Sequence, residues 1–364
     1  MPEAAINPPL VASSLHISAN DIQEGDNFKL RIPVQNISNL PFTQDSLLMS
    51  YWITDAAGAT HQLPSKLKKK PFNPNEVIID SISVNSLGYK GNNALWVEVN
   101  PVNKPHSQLE QYHFNNIIRI PFHVSGDRIN PLLDVTFDGV HILNNDIVSA
   151  KPNVLIKLKD ENRFLALNDT TNFKVFLQSP GSPTAKRVWF GSTMSFVPAV
   201  LPNNSCKLNY TPELIQDGTY QLLVQASDIS RNLSGAIDYK ISFEVINKAT
   251  ITEVMNYPNP FNNATHFVFT LTGSQVPSTF KIQIMTITGK VVKEIFQDEI
   301  GFIHVGRNIT EYAWDGRDEF GDRLANGVYL YRVITKLNGD EIEHRDSDAD
   351  QYFKKGWGKM FLMH

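Results

Sequence analysis

The chain has 364 residues, of which 41% are hydrophobic and 19% charged, and its formal net charge is −4. This length accommodates several domains, and the composition is typical of a globular protein rather than a disordered one. The charge balance gives no reason to expect a nucleic-acid partner, and no apolar stretch approaches the ~20 residues of a membrane-spanning helix.

Residues 1–14 are interrupted by prolines and are predicted to form a linker. They lack the basic and apolar regions of a signal peptide, so we expect the chain to be the C-terminal part of a longer protein. Residues 15–125 are the first predicted domain. Within it, the runs FKLRIPV and IIRIPFHV alternate hydrophobic with polar residues, which is typical of strands with one buried face.

The second predicted domain, residues 130–247, begins after the proline-containing joint VSGDRINP. Its run YKISFEV alternates in the same way, and turn clusters such as NNSCKLN separate such runs. The third predicted domain covers residues 250–364. Many short strands, without the periodicity of amphipathic helices, predict an all-β chain of three sequential immunoglobulin-like antiparallel β-sandwich domains.

Two segments share one pattern at the start of a predicted strand. DGTYQLLVQASD, at 217–228, and NGVYLYRVITKL, at 326–337, each place a glycine two residues before a tyrosine. A tyrosine in this position buries its ring while its hydroxyl bonds back to the preceding loop, as in a tyrosine corner. The pattern supports the fold and indicates no activity.

Cysteine catalysis requires a thiolate with a histidine within hydrogen-bond reach. Cys206 lies in a turn that leads into a strand, no nucleophile motif surrounds it, and the second domain contains one histidine, His141. Phosphate-binding, dinucleotide-binding and zinc-protease motifs are also missing from the sequence. We therefore predict an inert thiol, no enzymatic activity and no cofactor.

Two acidic segments are candidate calcium sites. Asp346, Asp348 and Asp350 have the spacing that opens a calcium-binding loop, but the glycine and glutamate that complete an EF-hand are replaced by Gln351 and Trp357. Around WDGRDEFGD, the three carboxylates of 315, 318 and 322 suit side-chain turns as well as they suit calcium. We predict no metal site and keep calcium at 346–350 as the alternative.

The motif YPNPF comprises Tyr257, Pro258, Asn259, Pro260 and Phe261. Its prolines exclude a helix and oppose a paired strand, because each lacks an N–H donor and restricts the residue before it. We interpret the motif as a rigid entry that turns a linker into the first strand of the third domain. The prolines would then lie where no donor is needed.

Further motifs follow in the third domain, each with the chemistry of a turn or a strand entry. Their residues are Gly289 and Lys290 in TGK, Trp314, Asp315 and Gly316 in WDG, Gly327, Tyr329 and Tyr331 in GVYLY, and Lys359 in the final GWGKMFLMH.

This order of motifs, over 250–364, resembles the C-terminal domain of proteins exported by the type IX secretion system and the related FlgD-like immunoglobulin module. The first domain resembles CARDB-type adhesion modules, and the second resembles bacterial immunoglobulin-like modules. The whole order is similar to the C-terminal region of gingipain-type and PorU-like cysteine peptidases, whose catalytic domain lies upstream.

The resemblance implies export through the periplasm to the outer-membrane surface or the extracellular space. It implies the outer-membrane translocation machinery as a partner, with the terminal domain either retained or replaced by a lipopolysaccharide anchor. From the strand pattern of GWGKMFLMH we expect the last strand to pair with the sheet. A receptor would then read its assembled edge, together with the chain end, by strand addition.

The alternative function is an adhesion module that binds carbohydrate or protein. It would need exposed aromatic side chains in the first two domains. Trp52, Trp96 and Trp189 lie in strand-like runs, where packing in the core is the commoner role. We therefore expect the first two domains to be non-catalytic spacers.

Overall fold

The computed structural model describes residues 1–6, 22–42, 47–68, 71–345, 353–354 and 356–363. Strands account for 53% of the structure and helices for 2%. In the described residues the strands form six sheets, and their inner faces enclose three hydrophobic cores. The all-β fold class is therefore confirmed. Among these residues no helix is long and apolar enough to cross a membrane.

The first sandwich packs the sheet β1-β3-β6 against the sheet β2-β8-β7-β4-β5. Its described strands are β1 (Ala4–Ile6), β2 (Ile22–Gln23), β3 (Asn27–Asn36), β4 (Leu47–Thr54), β5 (Thr60–Lys68), β6 (Val77–Asn85), β7 (Gly91–Val99) and β8 (Ile117–Ser125). As the alternation in FKLRIPV predicts, Phe28, Leu30 and Ile32 are buried. The ring of Phe28 meets that of Phe122 from β8 at 5.1 Å.

The second sandwich packs the sheet β14-β15-β11-β9 against the sheet β10-β17-β16-β12-β13. Its elements are β9 (Leu132–Phe137), β10 (Asp146–Val148), β11 (Val154–Lys159), a 3₁₀ turn (Thr170–Asn172), β12 (Phe173–Gln178), β13 (Lys186–Val188), β14 (Met194–Val197), β15 (Ser205–Tyr210), β16 (Gly218–Ala226) and β17 (Tyr239–Val245). Ile241, Phe243 and Val245 are buried on one face of β17, as their alternation predicts.

The third sandwich packs the sheet β22-β19-β18-β25 against the sheet β21-β20-β23-β27-β26. Its elements are β18 (Thr250–Tyr257), β19 (His266–Leu271), β20 (Thr279–Thr286), β21 (Val291–Phe296), α1 (Gln297–Ile300), β22 (Gly306–Ile309), β23 (Gly327–Leu337), β24 (Asp340–Glu341), β25 (Glu343–His344), β26 (Phe353–Lys354) and β27 (Trp357–Leu362). The last strand of the chain, β27, therefore lies inside the sheet, between β23 and β26.

The chain divides into two compact units. One comprises Met1–Ile129, Glu161–Ala166 and Val200–Asn204, and the other comprises Asn130–Asp160, Leu167–Ala199 and Ser205–His364. The second unit holds both the second and the third core. Within it, Ala150 N donates a hydrogen bond to Gly273 O at 2.9 Å, so the two sandwiches are in direct contact.

The two tyrosine patterns form the same corner. Tyr329 donates its hydroxyl to Ala325 O at 2.8 Å, and the Tyr220 hydroxyl accepts a hydrogen bond from Gln216 N at 3.3 Å. Both rings are buried. The predicted tyrosine corner is confirmed in each case, because the hydroxyl bonds to the backbone four residues upstream while the ring packs in the core.

Candidate functional site

The YPNPF motif follows the first strand of the third sandwich instead of leading into it. Thr250–Tyr257 already forms β18, in which Ile251 and Val254 are buried. Because these apolar residues pack in the core, the segment before the motif is a strand and not a linker. The interpretation of YPNPF as a rigid entry into the first strand is therefore wrong, since the motif connects β18 to β19.

Asn259 and Phe261 bond to the edge of β27 that faces away from β23. Asn259 Nδ2 donates to Lys359 O at 3.0 Å, and Asn259 Oδ1 accepts from Phe361 N at 2.9 Å. Phe261 N donates to Phe361 O at 3.0 Å, and Met363 N donates to Phe261 O at 2.9 Å. We call Asn259–Phe261 the edge cover. The backbone groups of Lys359, Phe361 and Met363 to which it bonds are called the outer edge of β27. The Asn259 amide takes the place of a neighbouring peptide group.

The start of the motif is held by a short polar network. Thr265 is fully buried, and its hydroxyl donates to Pro258 O at 2.8 Å. Asn256 Nδ2 donates to the same hydroxyl at 3.0 Å. The backbone N–H of Thr265 bonds to Trp314 O at 2.9 Å. Pro258 and Pro260 leave no unsatisfied donor here, because they have no N–H group.

Aromatic packing connects the edge cover to the WDG motif. The buried ring of Phe261 lies 5.6 Å from that of Trp314, measured between centroids, and Trp314 lies 5.9 Å from Tyr329. The indole N–H of Trp314, which is fully buried, donates to Arg317 O at 2.8 Å. Burial also raises the pKa of the Tyr329 hydroxyl above its ordinary value. These motif residues form one contiguous part of the third core.

The loop after Trp314 brings a glycine against the terminal strand. Gly316 has a φ of +77°, and a Cβ added there would lie 2.9 Å from Leu362 Cδ1. Asp315 Oδ1 accepts from Arg317 N at 3.2 Å. Asp318 Oδ1 accepts from Phe320 N at 2.9 Å and from the backbone N–H of residue 322 at 3.0 Å. Asp315 and Asp318 thus form the side-chain turns that the sequence predicts.

The GVYLY motif forms the inner partner of β27. Gly327 pairs with Leu362, Tyr329 with Met360, and Tyr331 with Gly358. Tyr331 is fully buried, and its ring packs on Gly358 so closely that no side chain fits there. A strand glycine often marks such a close approach. Gly358 is the site residue that the sequence analysis missed, although the spacing GWG contained this signal.

The TGK turn lies at the same end of the sheet. Gly289 has a φ of +88°, and its N–H bonds to Thr286 O at 3.0 Å in the hairpin between β20 and β21. Thr286 pairs with Tyr329 on β23. Lys290 is exposed at the tip of this turn. The predicted hairpin is confirmed, and its position brings Lys290 to the end of the sandwich where the other motifs meet.

The surface of this region differs from the predicted one. Lys359 is exposed as expected, with its Nζ 5.0 Å from the centroid of the Phe361 ring. However, the outer edge of β27 is already hydrogen-bonded to the edge cover. The edge is therefore covered in this structure, because Asn259 and Phe261 satisfy its backbone groups, and strand addition there would first require their displacement. Tyr257, beside the cover, is 67% exposed.

Three tryptophans lie outside the core, contrary to expectation. The indoles of Trp52 and Trp96 stack in parallel on the outer face of the first sandwich, with centroids 6.0 Å apart and planes 4° apart. Both are half-buried. Trp189 is 68% exposed, and the guanidinium of Arg187 lies 4.3 Å from its ring centroid. Trp52 points outward because its strand neighbours Tyr51 and Ile53 fill the core.

Cys206 is fully buried in the second core. Burial raises the pKa of its thiol to about 11, so the thiol is protonated at neutral pH and lacks the reactivity of a thiolate. The alternative calcium ligands Asp346, Asp348 and Asp350 lie outside the described residues.

No protein-family model matches the sequence, and no curated protein matches it. Among solved structures, dimeric latent PorU from Porphyromonas gingivalis matches with 11% identity and a TM-score of 0.27, over 100% of this chain and 34% of that one. The chain thus spans about a third of the PorU chain.

Two other solved structures match at similar levels. A CARDB domain from Pyrococcus furiosus, solved in complex with di-metal ions, has 12% identity and a TM-score of 0.26, over 35% of this chain and 96% of that one. The FN1–FN3 domains of chicken CNTN1 have 11% identity and a TM-score of 0.26, over 96% of this chain and 97% of that one.

Proposed function

We propose that this chain is a non-catalytic part of an exported surface protein, in which the third sandwich is a sorting domain for type IX secretion. The first two sandwiches are spacers that separate it from an upstream domain of the gingipain-type or PorU-like class. The partner is the outer-membrane translocation machinery. After export the domain is either retained or replaced by a lipopolysaccharide anchor at the cell surface.

The convergence of the motifs on the last strand carries this proposal. Asn259 and Phe261 bond to its outer edge, Tyr331 packs on Gly358, and Gly316 approaches Leu362. Most of the motif side chains are buried or already hydrogen-bonded within the protein, so they have little direct role in binding a partner. Their shared effect is to hold β27 in one register within the sheet, beside exposed residues such as Lys359 and Lys290 that a receptor can recognise.

The test is an export assay in a host with type IX secretion. Residues 250–364 are fused behind a signal peptide and a fluorescent reporter, with and without residues 355–364. We expect the intact fusion to reach the cell surface and the shortened fusion to remain in the periplasm. A fusion with Val276→Ala, at an exposed loop position, serves as the matched control and should be exported normally.

Two outcomes contradict the proposal. Either both fusions reach the surface equally, or the intact fusion stays inside while an established sorting domain is exported from the same host.

The absence of catalysis is tested separately with fluorogenic peptides. Turnover by the purified chain that is abolished in Cys206→Ala would show that the assignment as a non-enzyme is wrong.

One observation favours a second function, the binding of carbohydrate or protein by the first sandwich. Trp52 and Trp96 stack on its outer face between Gln62 on β5 and Arg119 on β8, in one row across four strands. Planar aromatic rings beside amide and guanidinium groups can bind sugars. Titrating the chain with a panel of oligosaccharides while following tryptophan fluorescence tests this function, with Arg119→Ala as the weakened variant.

A further inference from the structure

The two edges of β27 are held in different ways. On its inner side, β27 forms a regular antiparallel ladder with β23, from Gly327 opposite Leu362 to Tyr331 opposite Gly358. On its outer side, the two described residues of β26 pair with Gly358 and Trp357. The remaining outer edge bonds to the edge cover, through the side chain of Asn259 and the backbone of Phe261.

The edge cover is a poor replacement for a strand. Pro258 and Pro260 flank Asn259 and cannot donate hydrogen bonds, so the segment cannot extend its pairing into a ladder. Pro258 and Pro260 are exposed, and only Phe261 inserts into the core, where its ring meets Trp314. The hydrogen bonds between the cover and β27 therefore come from one side-chain amide and the backbone of one residue, while the Phe261 ring provides the apolar contact.

We propose that the edge cover is releasable, and that the outer edge of β27 is an interaction surface for an extended strand of the export machinery. This inference rests on the proposed function. An incoming strand would supply the backbone donors and acceptors that Asn259 and Phe261 now provide to Lys359, Phe361 and Met363. Proteins commonly protect a sheet edge in this way against unwanted strand pairing, and strand addition is a recurrent mode of peptide recognition.

The structure specifies the chemistry of the incoming strand. Phe261 bridges Leu362 in the parallel sense, so a strand that takes its place runs parallel to β27. The space that Phe261 leaves lies beside Trp314 in the third core, so we expect a large apolar side chain at this position. The partner strand also carries no proline where the backbone must donate to Phe361 O.

Hydrogen exchange on the whole chain, resolved to single amides by mass spectrometry with fragmentation, tests whether the cover is released. The amides of Phe361 and Met363 bond to the cover, whereas those of Met360 and Leu362 lie on the β23 side. We expect the cover-bonded amides to exchange at least about tenfold faster, since local opening exposes them without unfolding the sandwich. Equal exchange at all of these amides would overturn the proposal.

Substitution of Asn259 tests whether the covered edge is the one recognised. Asn259→Ala removes both side-chain bonds and should accelerate exchange of the Phe361 amide while leaving that of Leu362 unchanged. Because the outer edge then opens more readily, its fusion should reach the cell surface faster than the wild-type fusion. Asn263→Ala, at an exposed neighbouring position, is the matched control. If Asn259→Ala does not fold, Asn259→Asp is used, because it keeps the acceptor for Phe361 N and replaces the donor to Lys359 O with a repelling carboxylate oxygen.

The outcomes separate this inference from the proposed function. If the wild-type fusion is exported but the folded Asn259 variant is not, the cover itself is part of the recognised surface and the inference is wrong, while the sorting function stands. If the wild-type fusion is not exported, the sorting function fails and the inference fails with it. Faster export of the variant, together with faster exchange at Phe361, supports the inference, whereas equal export rates would contradict it.

Discussion

Replacing Gly358 with alanine should destabilise the third sandwich. A Cβ at this position would lie closer than 3.0 Å to three ring atoms of Tyr331, whereas ordinary contacts begin near 3.4 Å. The ring cannot move aside easily, because Tyr331 is fully buried and packs against Phe267 at 5.1 Å and Phe353 at 5.9 Å. The backbone at Gly358 has an ordinary φ, so the effect is steric.

The expected magnitude follows from the cost of overpacking. Extra methylene groups in a well-packed core cost about 1–3 kcal/mol, and a clash with several atoms of a rigid ring belongs at the upper end of that range. For a domain of roughly 100 residues, a loss of about 3 kcal/mol corresponds to a decrease in Tm of roughly 10–20 °C.

The measurement uses the whole chain, with hydrogen exchange followed on peptides of the third sandwich, because three cores need not unfold in one transition. Gly191→Ala is the matched control, since a Cβ there meets nothing within 4 Å and its φ is ordinary. The double variant Gly358→Ala with Tyr331→Leu should be less destabilised than the sum of the single variants, by about 1 kcal/mol or more. Similar stabilities of Gly358→Ala and Gly191→Ala, or additive effects in the double variant, would refute the reasoning.

Three further predictions concern single groups. Iodoacetamide should not modify Cys206 in the native protein at pH 8 and should modify it in urea, because burial raises the pKa of its thiol to about 11; rapid native alkylation, measured by mass spectrometry, would contradict this. Burial also raises the pKa of Glu110 to about 7, so the folded state binds this proton more tightly than the unfolded state. The contribution of Glu110 to the stability of the first sandwich should therefore decrease, by on the order of 3 kcal/mol, as pH rises from about 4.5 to about 7. Thermal unfolding of wild type and Glu110→Gln across this range should show the difference, and parallel pH profiles would argue against it. Tyr329→Phe removes the bond to Ala325 O and should cost about 0.5–1.5 kcal/mol in the third sandwich, whereas an unchanged unfolding curve would show that the corner contributes nothing.

The sequence alone was sufficient to predict the fold class, the TGK turn and the two tyrosine corners. Alternation with a period of two identifies the buried face of a strand from its own residues, as for Phe28, Leu30 and Ile32. The TGK turn and both tyrosine corners were also predictable, because their hydrogen bonds join residues at most four positions apart, such as Tyr329 and Ala325. Interactions of this range are encoded by neighbouring residues.

Alternation was ambiguous wherever both faces of a strand carry large apolar residues. In SYWIT, both Tyr51 and Trp52 are candidates for the core, and only the packing of the two sheets shows that Tyr51 and Ile53 point inward. The register between β4 and β7 then places Trp52 opposite Trp96 on the outer face. Strand register depends on partners distant in sequence, so the stacked pair could not be recognised from either strand alone.

The role of the YPNPF motif was likewise decided only by the tertiary structure. Its prolines correctly excluded a helix, and residues 258–260 form no strand, but the prolines did not reveal what Asn259 bonds to. Its partners, Lys359 and Phe361, lie 100 and 102 residues further along the chain. Sequence patterns determine which segments become strands, whereas the order of strands in a sheet arises when the whole core is packed, and only that order brings Asn259 to the edge of β27.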